Sequence, residues 1–158
     1  MTIGLGLSAV GAGAVESDPL PVPKGGAHER AVTAYNAGVK LLLDKKYGDA
    51  QRKFEEALAA DEQLAEAHNN LAFSLRMQGA ANRDRALKHY DRALHLKPKL
   101  AQAYMYRGVL FTQMGDLDRA RADHAQLLKL DRALATKLER IIAGGGRDVE
   151  DGVAGQYD

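Results

Sequence analysis

Two asparagines, Asn36 and Asn70, lie 34 residues apart in stretches whose apolar residues otherwise have helical spacing. Asn is a poor helix-interior residue, because its carboxamide competes with the backbone for hydrogen bonds. The same carboxamide carries a donor and an acceptor. It can therefore hold both the N–H and the C=O of an extended peptide. A pair of such residues on one wall would grip a ligand by its backbone. The alternative is that each Asn bonds a neighbouring helix or water. Asn69, one position before Asn70, is expected to be a partly exposed bystander at the edge of the same site.

Other reactive residue types do not form a catalytic pattern. The five histidines are His28, His68, His89, His95 and His124, with no H-E-x-x-H and no metal-ligand spacing around them. His68 and His124 fall at packing positions, whereas His89 and His95 read as surface residues. The only serines are Ser8, Ser17 and Ser74, and none has a nucleophile-elbow context. Gly144–Gly146 lacks the Lys-Ser/Thr that follows a phosphate loop. Cysteine is absent, which removes disulfides, thiolate metal sites and Cys nucleophiles. No enzyme activity, cofactor or metal is expected.

Net charge is +1 over 158 residues. A globally basic nucleic-acid binder is therefore not indicated. Arg76–Lys99 is locally basic. It reads as a solvated helix face with an Asp84–Lys88 pair, or as a docking patch for an acidic protein or lipid headgroups. No apolar run is long enough for a transmembrane segment. Residues 3–15 are small and apolar and end in Ala12-Gly13-Ala14, like the back half of a signal peptide, but no basic residue precedes them. The other reading is a Gly/Ala-rich tail. Residues 1–28 are thus a signal-peptide-like segment followed by a Pro/Gly linker with prolines at 19, 21 and 23. The location is periplasmic or secreted if 1–14 is a signal-peptide remnant, and cytoplasmic otherwise. Residues 144–158 form an acidic tail too polar to fold alone.

Between 29 and 143, proline occurs once, at Pro98, and apolar residues recur at i, i+3, i+4 and i+7. That spacing predicts helices. The stretch also repeats. AEAHNNLAFSLRMQG (65–79) aligns with AQAYMYRGVLFTQMG (101–115) at an offset of 36, and Ala34–Gly38 aligns with His68–Ala72 at 34. The second halves agree too: Ala50, Phe54 and Ala57 are answered by Ala86, Tyr90 and Ala93, then by Ala120, His124 and Leu127. Small residues let two helix backbones approach, and larger ones fill the gaps beside them. Ala50 follows Gly38 by 12 residues, but Ala86 follows Ala72 by 14, so AANRD (80–84) should bulge in the second turn. ALATKLERIIA (133–143) puts Leu134, Leu138, Ile141 and Ile142 on one stripe, the mark of a capping helix ended by Gly144.

These residues resemble the tetratricopeptide repeat (TPR), a family of helix-turn-helix units, over about residues 31–134. The third copy departs most, with His124 for the family's aromatic and Leu127 for its small residue. The resemblance implies an all-α helix-turn-helix repeat solenoid. Its domain, 29–143, would hold three TPR units at about 31–64, 65–100 and 101–134, plus the short C-terminal capping helix. It also implies that the first helices line a concave groove. Peptide-binding candidates there are Tyr35, Asn36 and Val39, then Asn69, Asn70, Phe73 and Met77, then Met105, Tyr106 and Val109. Some family members clamp the C-terminal carboxylate of heat-shock chaperones with Lys, Arg and Asn. The matching positions here are Tyr35, Val39, Asn70, Gln102 and Tyr106, and only Asn70 agrees. Without the cations a carboxylate finds little to neutralise it, so a ligand with apolar side chains fits better. The expected function is a non-catalytic protein-protein interaction module that binds a peptide segment or helix of a partner. A self-associating assembly scaffold of the cell envelope is the alternative, and it would make the chain a homo-oligomer.

Overall fold

The computed structural model describes residues 19–21 and 25–145. The signal-peptide-like stretch at 1–14 and the acidic tail beyond Gly145 lie outside the described residues. Among these residues the chain is helical, without strands. Three helix pairs follow one another: α1 (Gly26–Leu43) with α2 (Tyr47–Ala60), α3 (Ala65–Met77) with α4 (Arg83–Leu96), and α5 (Ala101–Gln113) with α6 (Leu117–Leu130). A last helix, α7 (Arg132–Ala143), packs on α5 and α6. Helix α1 starts at Gly26, inside the stretch read as linker, because Glu29 accepts the Gly25 N–H and holds the first turn.

The small residues do the work their spacing predicts. Ala50, Ala86 and Ala120 are fully buried early in the second helices. Phe54 and Tyr90, one turn on, are buried as well and fill the space beside them. At Gly38 an added Cβ would stand 2.7 Å from the Phe54 ring, so only glycine admits that ring. The third unit lacks the aromatic, and His124 is half-exposed. Leu138 of α7 takes up the slack, reaching to 2.5 Å of where a Gly108 Cβ would be. The cap is thus part of the third unit's packing.

Lys45, Gly79 and Gly115 recur at the repeat spacing in the turns between paired helices, and all three have positive φ. Lys45, at φ 58°, carries a side chain there at a strain of about 1–2 kcal/mol. The extra residues of unit two form a short 3-10 turn, Ala80–Asn82, as the spacing required. Helix α7 ends at Ala143, but Gly144 keeps a helical backbone and the left-handed residue is Gly145.

Candidate functional site

Helix α1 touches α3, and α3 touches α5, so the first helices of the pairs form the inner layer of the stack. Their shared wall is apolar and aromatic. Tyr35, Val39, Phe73, Met105, Tyr106 and Val109 belong to one buried cluster, with Met77 packed against it. The Phe73 and Tyr106 rings meet edge to face at 5.1 Å between centroids, and Tyr47 approaches Phe73 at 6.3 Å. All ten candidate residues therefore lie on α1, α3 or α5.

The two repeat-related asparagines take different partners. Asn36 is half-buried, and its carboxamide holds the backbone of Leu20. Its Oδ1 accepts the Leu20 N–H at 2.8 Å, and its Nδ2 donates to the Leu20 C=O at 2.9 Å. Leu20 itself packs against the buried cluster. Asn70 is fully buried and donates from Nδ2 to the Tyr35 hydroxyl at 3.3 Å. Asn69 corrects the expectation of partial exposure: it is fully buried. It donates to Asn70 Oδ1 at 3.1 Å, while its own Oδ1 has no hydrogen-bond partner. Position in the repeat gave the two asparagines equivalent places on α1 and α3, but it could not tell an Asn bound to Leu20 from one bonded, like Asn70, to a neighbouring helix.

Arg76 is counted in the basic stretch by sequence, yet it is only 5% exposed. Its guanidinium lies over the Phe73 ring at 5.1 Å, and its Nε and Nη2 have no hydrogen-bond partner. Burial pushes the nearby Tyr90 hydroxyl up to about 12, with the Arg76 cation opposing. The rest of the basic stretch is partly neutralised, Lys97 by Glu66 of its own unit at 2.6 Å and Arg85 by Glu55 of the preceding unit at 3.4 Å. The expected Asp84–Lys88 pair is not among the ion pairs of the described residues.

Two of the histidines, His68 and His89, meet one another. His95 is exposed, as expected. His89 is not the surface residue its position indicated. It is half-buried and stacks on His68 at 5.2 Å between centroids. His68 Nε2 lies 3.1 Å from the Glu62 carbonyl, which can only accept, so the ring carries its proton there. His68 Nδ1 then accepts from His89 Nδ1–H at 3.0 Å. Burial, then His68 and Arg85, hold His89 down to about 4 against the pull of Glu55. Burial, with Arg92 adding, also lowers His68, opposed by Glu62. Both folded values lie below the unfolded one, so the unfolded chain binds more protons as pH falls below about 6.5. Stability is full above that pH and declines towards about 4, where His89 titrates. The loss from His89 is expected to be up to about 3 kcal/mol. Urea denaturation at a series of pH values should show this slope in the wild type, and His89→Gln should flatten it.

Among the described residues, no three His, Asp or Glu side chains gather as a metal would need. No described helix is long and apolar enough to cross a membrane.

No family model and no curated protein matches the chain. Among solved structures, the second TPR of Spaghetti (RPAP3) bound to HSP90 peptide SRMEEVD is similar at 26% identity, with a TM-score of 0.61. The likeness covers 66% of this chain and 94% of that one. The Arabidopsis OM64 TPR domain is similar at 20% identity and a TM-score of 0.70, over 75% and 98% of the two chains. The Hsp90 co-chaperone Cns1 from Saccharomyces cerevisiae is similar at 19% identity and a TM-score of 0.68, covering 84% of this chain and 44% of that one.

Proposed function

This chain is a tetratricopeptide-repeat domain in fold, and from that premise we propose that its inner wall binds an extended peptide segment of a partner protein, without catalysis. One observation carries the reading. The Asn36 carboxamide already grips an extended residue by N–H and C=O at once, at 2.8 and 2.9 Å, beside an apolar wall. That is how a side-chain amide recognises a peptide backbone without reading its sequence. Met77 is left partly exposed for side-chain contact, whereas Tyr35, Val39, Phe73, Met105, Tyr106 and Val109 are buried and shape the wall from within, as Asn69 and Asn70 do. The RPAP3 domain bound to an HSP90 peptide supports a peptide as the class of ligand. The ligand here is apolar rather than acidic, because Tyr35, Val39, Gln102 and Tyr106 supply no cation for a carboxylate.

The test is a random peptide library panned on the full chain, with selected peptides mapped by amide chemical shifts. Perturbations on α1, α3 and α5 are the expected result. Recovery of no peptide, or perturbations confined to α2, α4 and α6, would overturn the reading.

A further inference from the structure

Residues Pro19, Leu20 and Pro21 lie outside the helical stack, yet they are bound to it. Proline has no N–H and fixes φ near −65°, and a residue that precedes proline is kept out of the helical region. Leu20 stands before Pro21 and after Pro19, so it is extended before it touches anything. Its N–H is the one backbone donor in the triplet, and Asn36 accepts it. Its carbonyl takes the other half of the same carboxamide. No backbone donor of the triplet is left to desolvate without a partner, which would otherwise oppose docking. The leucine side chain meanwhile packs on the apolar cluster.

We propose that the groove is built for a leucine held extended between two prolines, and that Pro19–Pro21 of this chain occupies it until a partner's segment displaces it. The inference rests on the peptide-binding reading above and adds the ligand's chemistry and its control. The occupant needs little ordering, since the prolines set its shape in advance. The tether to α1 is short, so the local concentration of the segment is on the order of millimolar. If the resident segment's own intrinsic Kd is tens of micromolar, any competing peptide is therefore weakened roughly ten- to a hundred-fold. A partner succeeds by adding contacts that three residues cannot make.

The experiment uses the full chain and a labelled synthetic peptide of residues 16–24, ESDPLPVPK, followed by fluorescence anisotropy. Leu20→Asp in the chain removes the apolar contact of the resident segment and leaves the helices untouched. The variant is expected to bind the free peptide at least ten-fold more tightly than the wild type. Adding Asn36→Ala to the Leu20→Asp chain should abolish that binding, and circular dichroism should show both variants folded. Equal affinity of wild type and Leu20→Asp would overturn the inference. So would a Leu20→Asp chain that ignores this peptide but still captures peptides selected from the library, and in that case the peptide-binding reading stands. If neither chain takes any peptide, both fall.

Discussion

Arg107→Ala is expected to lower the unfolding free energy by about 3–5 kcal/mol, the usual cost of stranding one partner of a buried ion pair. Arg107 projects from the middle of α5 and grips Asp123 of α6 with two bonds, at 3.0 and 2.6 Å, while its third donor reaches Asp91 of α4 at 2.8 Å. Asp123 is 2% exposed. Burial pushes its carboxyl up and Arg107 pulls it back, with Asp91 adding to the rise. Without Arg107 only the raising influences remain. The folded variant would then hold a proton on Asp123 that the unfolded chain gives up. Stability from such a raised group is present below the unfolded pKa and is lost as pH rises through the folded one. The deficit of Arg107→Ala should therefore be largest at neutral pH and shrink on acidification. Urea titrations at several pH values would show it as a lower midpoint with an unchanged slope. Arg107→Leu combined with Asp123→Leu should recover much of the loss, because apolar residues of similar size can replace a buried pair. A deficit below about 1 kcal/mol at neutral pH would mean that water reaches Asp123.

Phe54→Ala carries the second large effect, about 3–5 kcal/mol, the range for truncating a buried aromatic ring. Phe54 is fully buried, and its ring lies against the bare backbone of Gly38, with Tyr35 at 5.8 Å between centroids. The complementary change, Gly38→Ala, gains about 1 kcal/mol of helix propensity but forces a methyl to 2.7 Å of that ring. Overpacking of this kind costs about 1–3 kcal/mol. The two substitutions should not add. Once the ring is gone the new methyl has room, and the coupling should reach about 0.5–3 kcal/mol in a double-mutant cycle. Additive losses would show that the glycine and the ring do not share one space.

Much of the stack was legible because small and large residues recur at a fixed spacing, and close backbone approach admits few alternatives. Ala50, Ala86 and Ala120, the capping stripe around Leu138 and the enlarged turn after Gly79 all follow from that regularity. Side-chain partnerships were harder to read. In the third unit the aromatic position holds His124, but the buried residue is Asp123 beside it. The charge is drawn inward by Arg107, which belongs to a different helix. His89 looked exposed because its own helix is polar. It is covered by His68 of the preceding helix. Leu20 was hidden for another reason. A proline-rich run reads as a spacer, and only the placement of Asn36 turns it into a bound segment.

The enlarged turn of the second unit has a practical corollary. Gln78–Ala81 is exposed, and Ala80–Asn82 contributes no buried residue. Loop tips of this kind accept foreign sequence, and doubling their length costs only about 0.6 kcal/mol in closure entropy. An epitope or a fluorescent reporter spliced in after Ala80 should leave both flanking helices in place. Capture by such a tagged chain could then be followed in living cells with both ends of the chain left unmodified.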